Sequence, residues 1–554
     1  METVENNLWT LFEAVAEAVP DRDAIVWRQR RSSYRTVHDR ARRLAAVLTI
    51  HGLGVRADRS DLSAWEAGQD LVGLYLLNGP EFLEANLGGY AARTAPFNVN
   101  YRYVADELAY LLDDAGAAAV VYHARFAPVL AEVLPRLRRT PLLLQVADES
   151  GEALLPDALD YEQALAQADP GIVPDRHSPD DLYVLYTGGT TGMPKGTLWR
   201  QADIWMSALG GDLLGADLDV EAMAAAAAAG PEQRTLPNAP FMHGAAQWVV
   251  LRALLTGGTV VVNGIVDRLD PVDVWQTIGR ERVGATLFVG EAFARPLIAE
   301  LERGTYDTSS LALIAVGGAV TSPETKTRVL AQIPQVLIAD LAGSSETGSA
   351  LSQLSTAGSK PEAGVFAPNP DVAVLDVDLS RRLEPGEDSI GWFAKAGRIP
   401  LGYLGDQAKT ERTFPTVDGR RWSVPGDRAR LRQDGMVELL GRDSVTINSG
   451  GEKIFAEEVE AAILTHPAVL DAIVVGRPSE RWGQEVVAVV QITGDVAASD
   501  DDIINAASAR IARYKLPKAV VRVPLVIRSP AGKADYSWAR RVALDDVASQ
   551  TPIS

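Results

Sequence analysis

Apolar positions along the first half of the chain alternate between two periods. LWTLFEAVAEAV repeats them at the spacing of one helix face, and DAIVWR then packs them into a short continuous run. TVHDRARRLAAVL returns to the helical period. The alternation recurs as LAYLLDDAG followed by AAAVVYH, and as DVWQTIGRERV followed by ATLFVG. Helices alternating with short buried strands predict a layered α/β architecture. No fixed-period repeat interrupts it.

Two regions depart from this rhythm. Residues 219–240, with VEAMAAAAAAGPEQRTLPNAP, are alanine-rich and then polar, which predicts a surface helix and loop with the character of a lid. Beyond residue 385 the pattern becomes β-like, and RWSVPGDRARLRQDGMVELLGR reads as paired strands about an Asp-Gly turn. After Arg442 a smaller α+β series begins: AEEVEAAILTHP, VLDAIVVG, EVVAVVQI, DIINAASARIA and AVVRVPLVI. The expected division is a large multi-layer N-terminal domain, 1–441, and a small C-terminal domain, 442–554, cut between Gly441 and Ser444.

Composition narrows the function. The 554 residues are 47% hydrophobic and carry a formal charge of -20, which disfavours nucleic acid and anionic membrane as partners. There is no cysteine, so thiolate metal sites and a cysteine nucleophile are excluded. The histidines, at 38, 51, 123, 177, 243 and 466, form no HExxH-like pair, which argues against a catalytic zinc. METVENNLWTLFEA lacks the basic start and apolar core of a signal peptide. The longest apolar run, WVVLRALLTGGTVVVNGIV, is broken by Arg252, Gly257 and Gly258, so no integral membrane segment is expected and a cytoplasmic enzyme is.

Chemistry concentrates in five short stretches. YTGGTTGMPKG comes after the apolar strand DDLYVLY and precedes RQADIWMSAL, which reads as a helix. It is not a Walker A loop, because Met193 and Pro194 separate Gly192 from Lys195. Its physics is still that of a phosphate cradle. Gly188, Gly189 and Gly192 let backbone N–H groups turn toward an anion, Thr187, Thr190 and Thr191 add hydroxyls, and Lys195 adds charge. LAGSSETG holds one acid, Glu346, in a run of small residues. PGDRARLRQDG places Asp427 on a turn entering a strand. GRDSVTINSGGEKIFAEEVE is the fourth stretch, and IRSPAGKADYSW carries Lys533 behind a Pro-Ala-Gly turn.

In this order and at these intervals the five stretches resemble the adenylate-forming superfamily of acyl-CoA synthetases, luciferases and peptide-synthetase adenylation domains. The resemblance spans nearly the whole chain. It implies that Thr187, Thr190, Thr191 and Lys195 cradle the triphosphate of ATP, with Gly188, Gly189 and Gly192. Glu346 and Thr190 would hold Mg²⁺, Thr347 would touch the α-phosphate, and Ser344 and Ser345 would join the nucleotide contacts. Asp427 would accept from the ribose hydroxyls beside Arg442. Asp340 would accept from the adenine amine, and Gly317, Gly318 and Ala319 would line the adenine and acyl sites. His243, in APFMHGAAQW, would gate the acyl tunnel. Lys533 would bridge the carboxylate and the α-phosphate.

The implied reaction joins a carboxylic acid to ATP as acyl-AMP and then passes the acyl group to coenzyme A. Between the steps the small domain rotates, so that Lys533 leaves and Ser449–Lys453 enters, with Gly450 and Gly451 admitting the pantetheine arm. Ala245, Ala246 and Gln247 offer no carboxylate for an amino-acid ammonium. Gly343 stands where acetyl-specific relatives carry tryptophan, so a long or bulky acid is expected. Finer similarity is to actinobacterial ligases of fatty acids and steroid side-chain acids. Ser444 stands at the hinge, Ala342 at the adenine-stacking position, and Tyr536 near a position often held by arginine. Two other functions stay open: an acyl-AMP ligase serving a carrier protein, and a non-catalytic nucleotide- or acyl-binding regulator. A second copy of the chain is a candidate partner.

Overall fold

In the computed structural model the described residues are 5–187, 193–214, 218–318, 321–360, 362, 364–449, 452–479, 482–493, 498–528 and 532–550. Helices start where capping side chains take up free N–H groups. Asn7 accepts from Trp9 N at the head of Leu8–Ala18, and Ser33 accepts from Thr36 N at the head of Tyr34–Ile50. Strands buried on both faces are continuously apolar, as in Leu71–Tyr75, where every residue is buried.

Three sheets build the large part. The parallel strands Asp23–Trp27, Thr259–Val262, Arg234–Pro237, Ala285–Phe288, Leu313–Gly317 and Leu337–Ser344 lie side by side with helices between them in sequence. From Leu337–Ser344 the same sheet turns antiparallel through Gly348–Ser355, Val365–Pro368, Val437–Arg442 and Asp427–Leu431. A second, parallel sheet centres on Leu71–Tyr75 and Ala119–His123. The third joins Leu182–Thr187, Lys195–Arg200 and Gly402–Tyr403. The predicted Asp-Gly hairpin is the pair Asp427–Leu431 and Val437–Arg442.

The C-terminal part has its own sheet, in which Gly483–Ile492 pairs with Val469–Ser479 on one side and Ala519–Val523 on the other. Helices Ala456–Ile463, Asp500–Ser508 and Tyr536–Gln550 cover it. Its hydrophobic cluster begins at Val445 and is separate from the large central one. The fold is therefore α/β, with a large N-terminal and a small C-terminal domain.

One local expectation is corrected in part and another is refined. Within residues 219–240 the expected surface helix and exposed loop are present, but the end of the segment is a strand rather than loop. Helix Val220–Ala229 buries Met223 and Ala227, and Arg22 Nη1 donates to Ala227 O at 3.0 Å. Arg234–Pro237 is an inner strand of the main sheet. Small side chains let one side of the helix approach Leu8–Ala18 closely while the other side stays in solvent. The helix expected in RQADIWMSAL is present as Gln201–Ala208, with a strand placed before it. The glycine-threonine stretch leads directly into the strand Lys195–Arg200, and the helix Gln201–Ala208 comes only after that strand. Among the described residues no helix is long and apolar enough to cross a membrane.

Candidate active site

The acidic stretch is a hairpin turn. Leu337–Ser344 and Gly348–Ser355 run antiparallel with Ser344 opposite Gly348, leaving Ser345, Glu346 and Thr347 at the tip. The backbone crowds itself there. A Cβ at Gly343 would lie 2.0 Å from Gly348 O, so the hairpin leaves no room for a side chain there. Gly343→Ala is expected to cost about 1–3 kcal/mol of stability, read from denaturant midpoints.

Each carbonyl of the turn is taken by a different element. Trp199 Nε1 donates to Ser345 O at 2.8 Å, Ser423 Oγ to Glu346 O at 2.7 Å, and Lys395 Nζ to Thr347 O at 2.8 Å. With the backbone tied down, the side chains face the site. Glu346 accepts from Tyr403 OH at 2.7 Å and from Ser345 Oγ at 2.8 Å. Thr347 Oγ1 accepts from Ser344 N at 2.9 Å. Burial pushes the Glu346 carboxyl upward, but the Tyr403 hydrogen bond, the Arg442 charge and the Ser345 and Ser344 hydroxyls outweigh it and hold it below its ordinary value. Glu346 is thus an anion at neutral pH.

Thr187 meets this turn from the neighbouring sheet. Thr187 and Lys195 face each other at the open end of an antiparallel pair. Thr187 Oγ1 lies 3.2 Å from Ser345 Oγ. Lys195 Nζ donates to Asp406 Oδ2 at 3.0 Å, and Lys409 Nζ stands 4.1 Å from the centre of the Tyr403 ring. Of the predicted contacts, Gly188, Gly189, Thr190, Thr191, Gly192, Ala319, Gly450 and Gly451 lie outside the described residues.

Asp427 and Arg442 are paired across their strands, with Arg442 Nε 3.4 Å from Asp427 Oδ1. Burial raises the Asp427 pKa, Arg442 opposes it, and Glu346 adds to the rise. Lys533 reaches this group from the small domain. Burial and the Arg442 charge lower its pKa, while Glu346 and Asp427 pull it up. His243 precedes the helix Gly244–Leu255, and its buried Nε2 has no hydrogen-bond partner among the described residues. Burial, then the charges of Lys533 and Arg102, bring its pKa down to about 3, so the imidazole is neutral. Glu346, Asp427, Arg442 and Lys533 thus act on one another electrostatically, Lys533 acts on His243, and Thr187 joins them through Ser345 Oγ.

Three more of the predicted residues lie on or just past the parallel strands Leu313–Gly317 and Leu337–Ser344. Gly317 ends its strand, and Gly318 adopts a positive φ of 77°. The Asp340 carboxylate is held by buried Lys326, which also donates to Gln353 Oε1 at 2.9 Å. The residues that sequence reasoning misses are Trp199, Ser207, Lys395, Tyr403, Asp406 and Ser423. Only the GYLGD turn, with glycines around Tyr403 and Asp406, offers a local signal.

Glu457 brings the small domain against the last strand of the large one. Its Oε1 accepts from Arg442 N at 3.4 Å, and its buried Oε2 has no partner among the described residues. Burial raises its pKa, with Asp427 adding to the rise. A carboxyl raised in the folded state binds more protons there than in the unfolded chain. Its stabilising share is therefore lost as pH climbs from the ordinary value of 4.5 toward the raised one. Glu457→Gln should gain thermal stability relative to wild type at about pH 8 and not at about pH 5.

Among the described residues no group of three or more acidic or histidine side chains could hold a metal alone. A single ionised carboxylate such as Glu346 suits Mg²⁺ delivered on phosphate oxygens.

The family of AMP-binding enzymes matches residues 12–392, and the C-terminal domain of AMP-binding enzymes matches 458–533. The chain is 54% identical to the medium-chain acyl-CoA ligase Mig of Mycobacterium avium, covering 96% of this chain and 97% of that one. It is 38% identical to the 3-oxocholest-4-en-26-oate–CoA ligase of Rhodococcus rhodochrous, over 96% and 95%. Among solved structures, the anthranilate CoA ligase AuaEII in complex with anthranoyl-AMP superposes with a TM-score of 0.82 at 19% identity, covering 98% of both chains. ATP-bound MatB from Rhodopseudomonas palustris gives 0.78 at 23% identity, over 97% and 99%.

Proposed function

The chain belongs to the AMP-binding enzyme family and is an AMP-forming acyl-CoA ligase that uses ATP and coenzyme A, and we propose that its acid is a medium- or long-chain fatty acid or a steroid side-chain acid. The convergence of Lys533 with Glu346, Asp427 and Arg442 across the two domains carries the assignment of the site. The identity to Mig and to the Rhodococcus enzyme supports the acid.

In the first step a carboxylate oxygen attacks the α-phosphorus of ATP, the bond to the bridging oxygen breaks, and pyrophosphate leaves. Lys533, within electrostatic reach of Glu346, Asp427 and Arg442, offsets the charge that builds on the α-phosphate. Lys195 and Thr187 hold the pyrophosphate end, and Asp427 with Arg442 hold the ribose. Glu346, with Thr190, would hold Mg²⁺, which supplies further positive charge to the phosphates. Tyr403 and Ser345 keep Glu346 ionised and in place. In the second step the coenzyme A thiol attacks the acyl carbon and AMP leaves.

The change of step requires Lys533 to withdraw. We assign the division to 1–441 and 442–554, supported by the separate cluster that begins at Val445 and by the short turn of backbone at Asp443–Val445. The reaction is assigned to the cytoplasm, where both nucleotide substrates are held. The test is carboxylate-dependent ATP–pyrophosphate exchange across acetate, medium and long fatty acids and steroid side-chain acids, followed by thioester formation with coenzyme A. Exchange confined to acetate would overturn the acid assignment. Exchange without thioester would favour transfer to a carrier protein.

A further inference from the structure

Lys395 is a lysine that gives up water without gaining a carboxylate. It lies on the strand Ile390–Ala396 and is 5% exposed. Its ammonium donates to Thr347 O at 2.8 Å, Ser349 O at 2.8 Å and Ser207 Oγ at 2.6 Å. Among the described residues no carboxylate pairs with it, and Asp212 and Asp371 act on it only at longer range. Burial brings its pKa down to about 8 against their pull. Burying an ammonium is costly, and here the compensation is three neutral oxygens.

Those oxygens belong to the acidic turn and its seat. Thr347 and Ser349 flank Gly348, which adopts a positive φ of 64°. A Cβ at Gly348 would lie 2.4 Å from Ser207 Oγ, so the turn rests directly on the helix Gln201–Ala208. Ser207 Oγ also donates to Thr347 O at 3.2 Å. Lys395 therefore joins the turn, that helix and the strand Ile390–Ala396 at one point. It sits behind Glu346 and Thr347, with its donors spent on backbone and on the Ser207 hydroxyl.

We propose that Lys395 is a positioning residue for adenylation, whose ammonium braces the turn from Thr347 to Ser349 so that Glu346 and Thr347 meet the triphosphate in fixed geometry. The inference rests on the assignment of Glu346 to the phosphates. Holding a charged group in register is needed most when pyrophosphate is expelled. It is needed least when a thiol attacks an adenylate already made.

The experiment measures both half-reactions in Lys395→Met, Lys395→Arg and Glu346→Gln, with thermal melts for each. Lys395→Met is expected to lower the exchange rate by about 10–100-fold and to raise the KM for ATP, since displacement of a catalytic group by about 1 Å costs this much. Thioester formation from supplied acyl-AMP should change by less than about 3-fold. Lys395→Arg, which keeps the charge, should recover part of the exchange. A merely structural lysine would lower both half-reactions together, and that result would overturn the inference. Loss of exchange in Glu346→Gln with full exchange in Lys395→Met would overturn it alone. Full exchange in Glu346→Gln would overturn the site assignment and the inference with it. Should Lys395→Met not fold, Ser207→Ala carries the test, with exchange expected to fall by about 3–10-fold and thioester formation unchanged. No change in exchange, or an equal fall in both, would overturn the inference.

Discussion

Lys533→Ala is expected to lower carboxylate-dependent ATP–pyrophosphate exchange by about 10²–10³-fold, the usual cost of removing a preorganised electrostatic contact from a transition state. Thioester formation from supplied acyl-AMP should remain near the wild-type rate, because the lysine acts on the α-phosphate only in the first step. The asymmetry separates this residue from a structural one. Lys533 is held among Arg442, Glu346 and Asp427, where burial and the like charge of Arg442 lower its pKa. The basic limb of the exchange profile should therefore fall below the pH at which an exposed lysine titrates. Equal loss in both half-reactions would place Lys533 in the scaffold instead.

Glu346→Gln should have an effect of the same order, about 10²–10³-fold on exchange. The substitution keeps the shape and one of the two oxygens; Tyr403 OH and Ser345 Oγ donate to different ones, so one hydroxyl must turn to accept from the new amide instead. What it removes is the charge. The variant should need more Mg²⁺ for half-maximal exchange, since one hard anionic ligand is gone. It should also leave Arg442 and Lys533 with less to offset their mutual repulsion, because Glu346 is a favourable partner for both. A Mg²⁺ dependence identical to wild type, with only the rate reduced, would remove Glu346 from the cation and leave it a neighbour of the α-phosphate.

Much of the fold is legible because it is local. Parallel strands such as Leu71–Tyr75, Ala119–His123 and Thr259–Val262 are short, largely apolar runs that periodicity reveals, whereas Arg234–Pro237 carries too little apolar sequence to announce itself. Motif order carries the reaction class, and the family matches bear it out. The errors come where local composition is ambiguous. The surface helix Val220–Ala229 is read correctly, but RTLP, read as part of a polar loop, is the inner strand Arg234–Pro237. Lys195 reads as the end of a phosphate loop before a helix, yet it opens a strand paired with Leu182–Thr187. Gly343, by contrast, reads as a position that opens the acyl tunnel, and the hairpin adds a demand of its own for glycine that no local pattern shows.

The order of residues alone settles the set of elements, the chemical groups available and their succession along the chain, because helix and strand periods and turn residues act over a few positions. Which groups meet is decided only in three dimensions. Trp199, Ser423 and Lys395 hold the acidic turn from 146, 77 and 48 residues away, and nothing in their own surroundings announces it. Lys326 takes Asp340 in the same way. Such partners depend on strand order and on which faces the apolar core draws together. A buried carbonyl must then find whatever donor that packing has placed beside it, and a one-dimensional pattern carries no record of that neighbour.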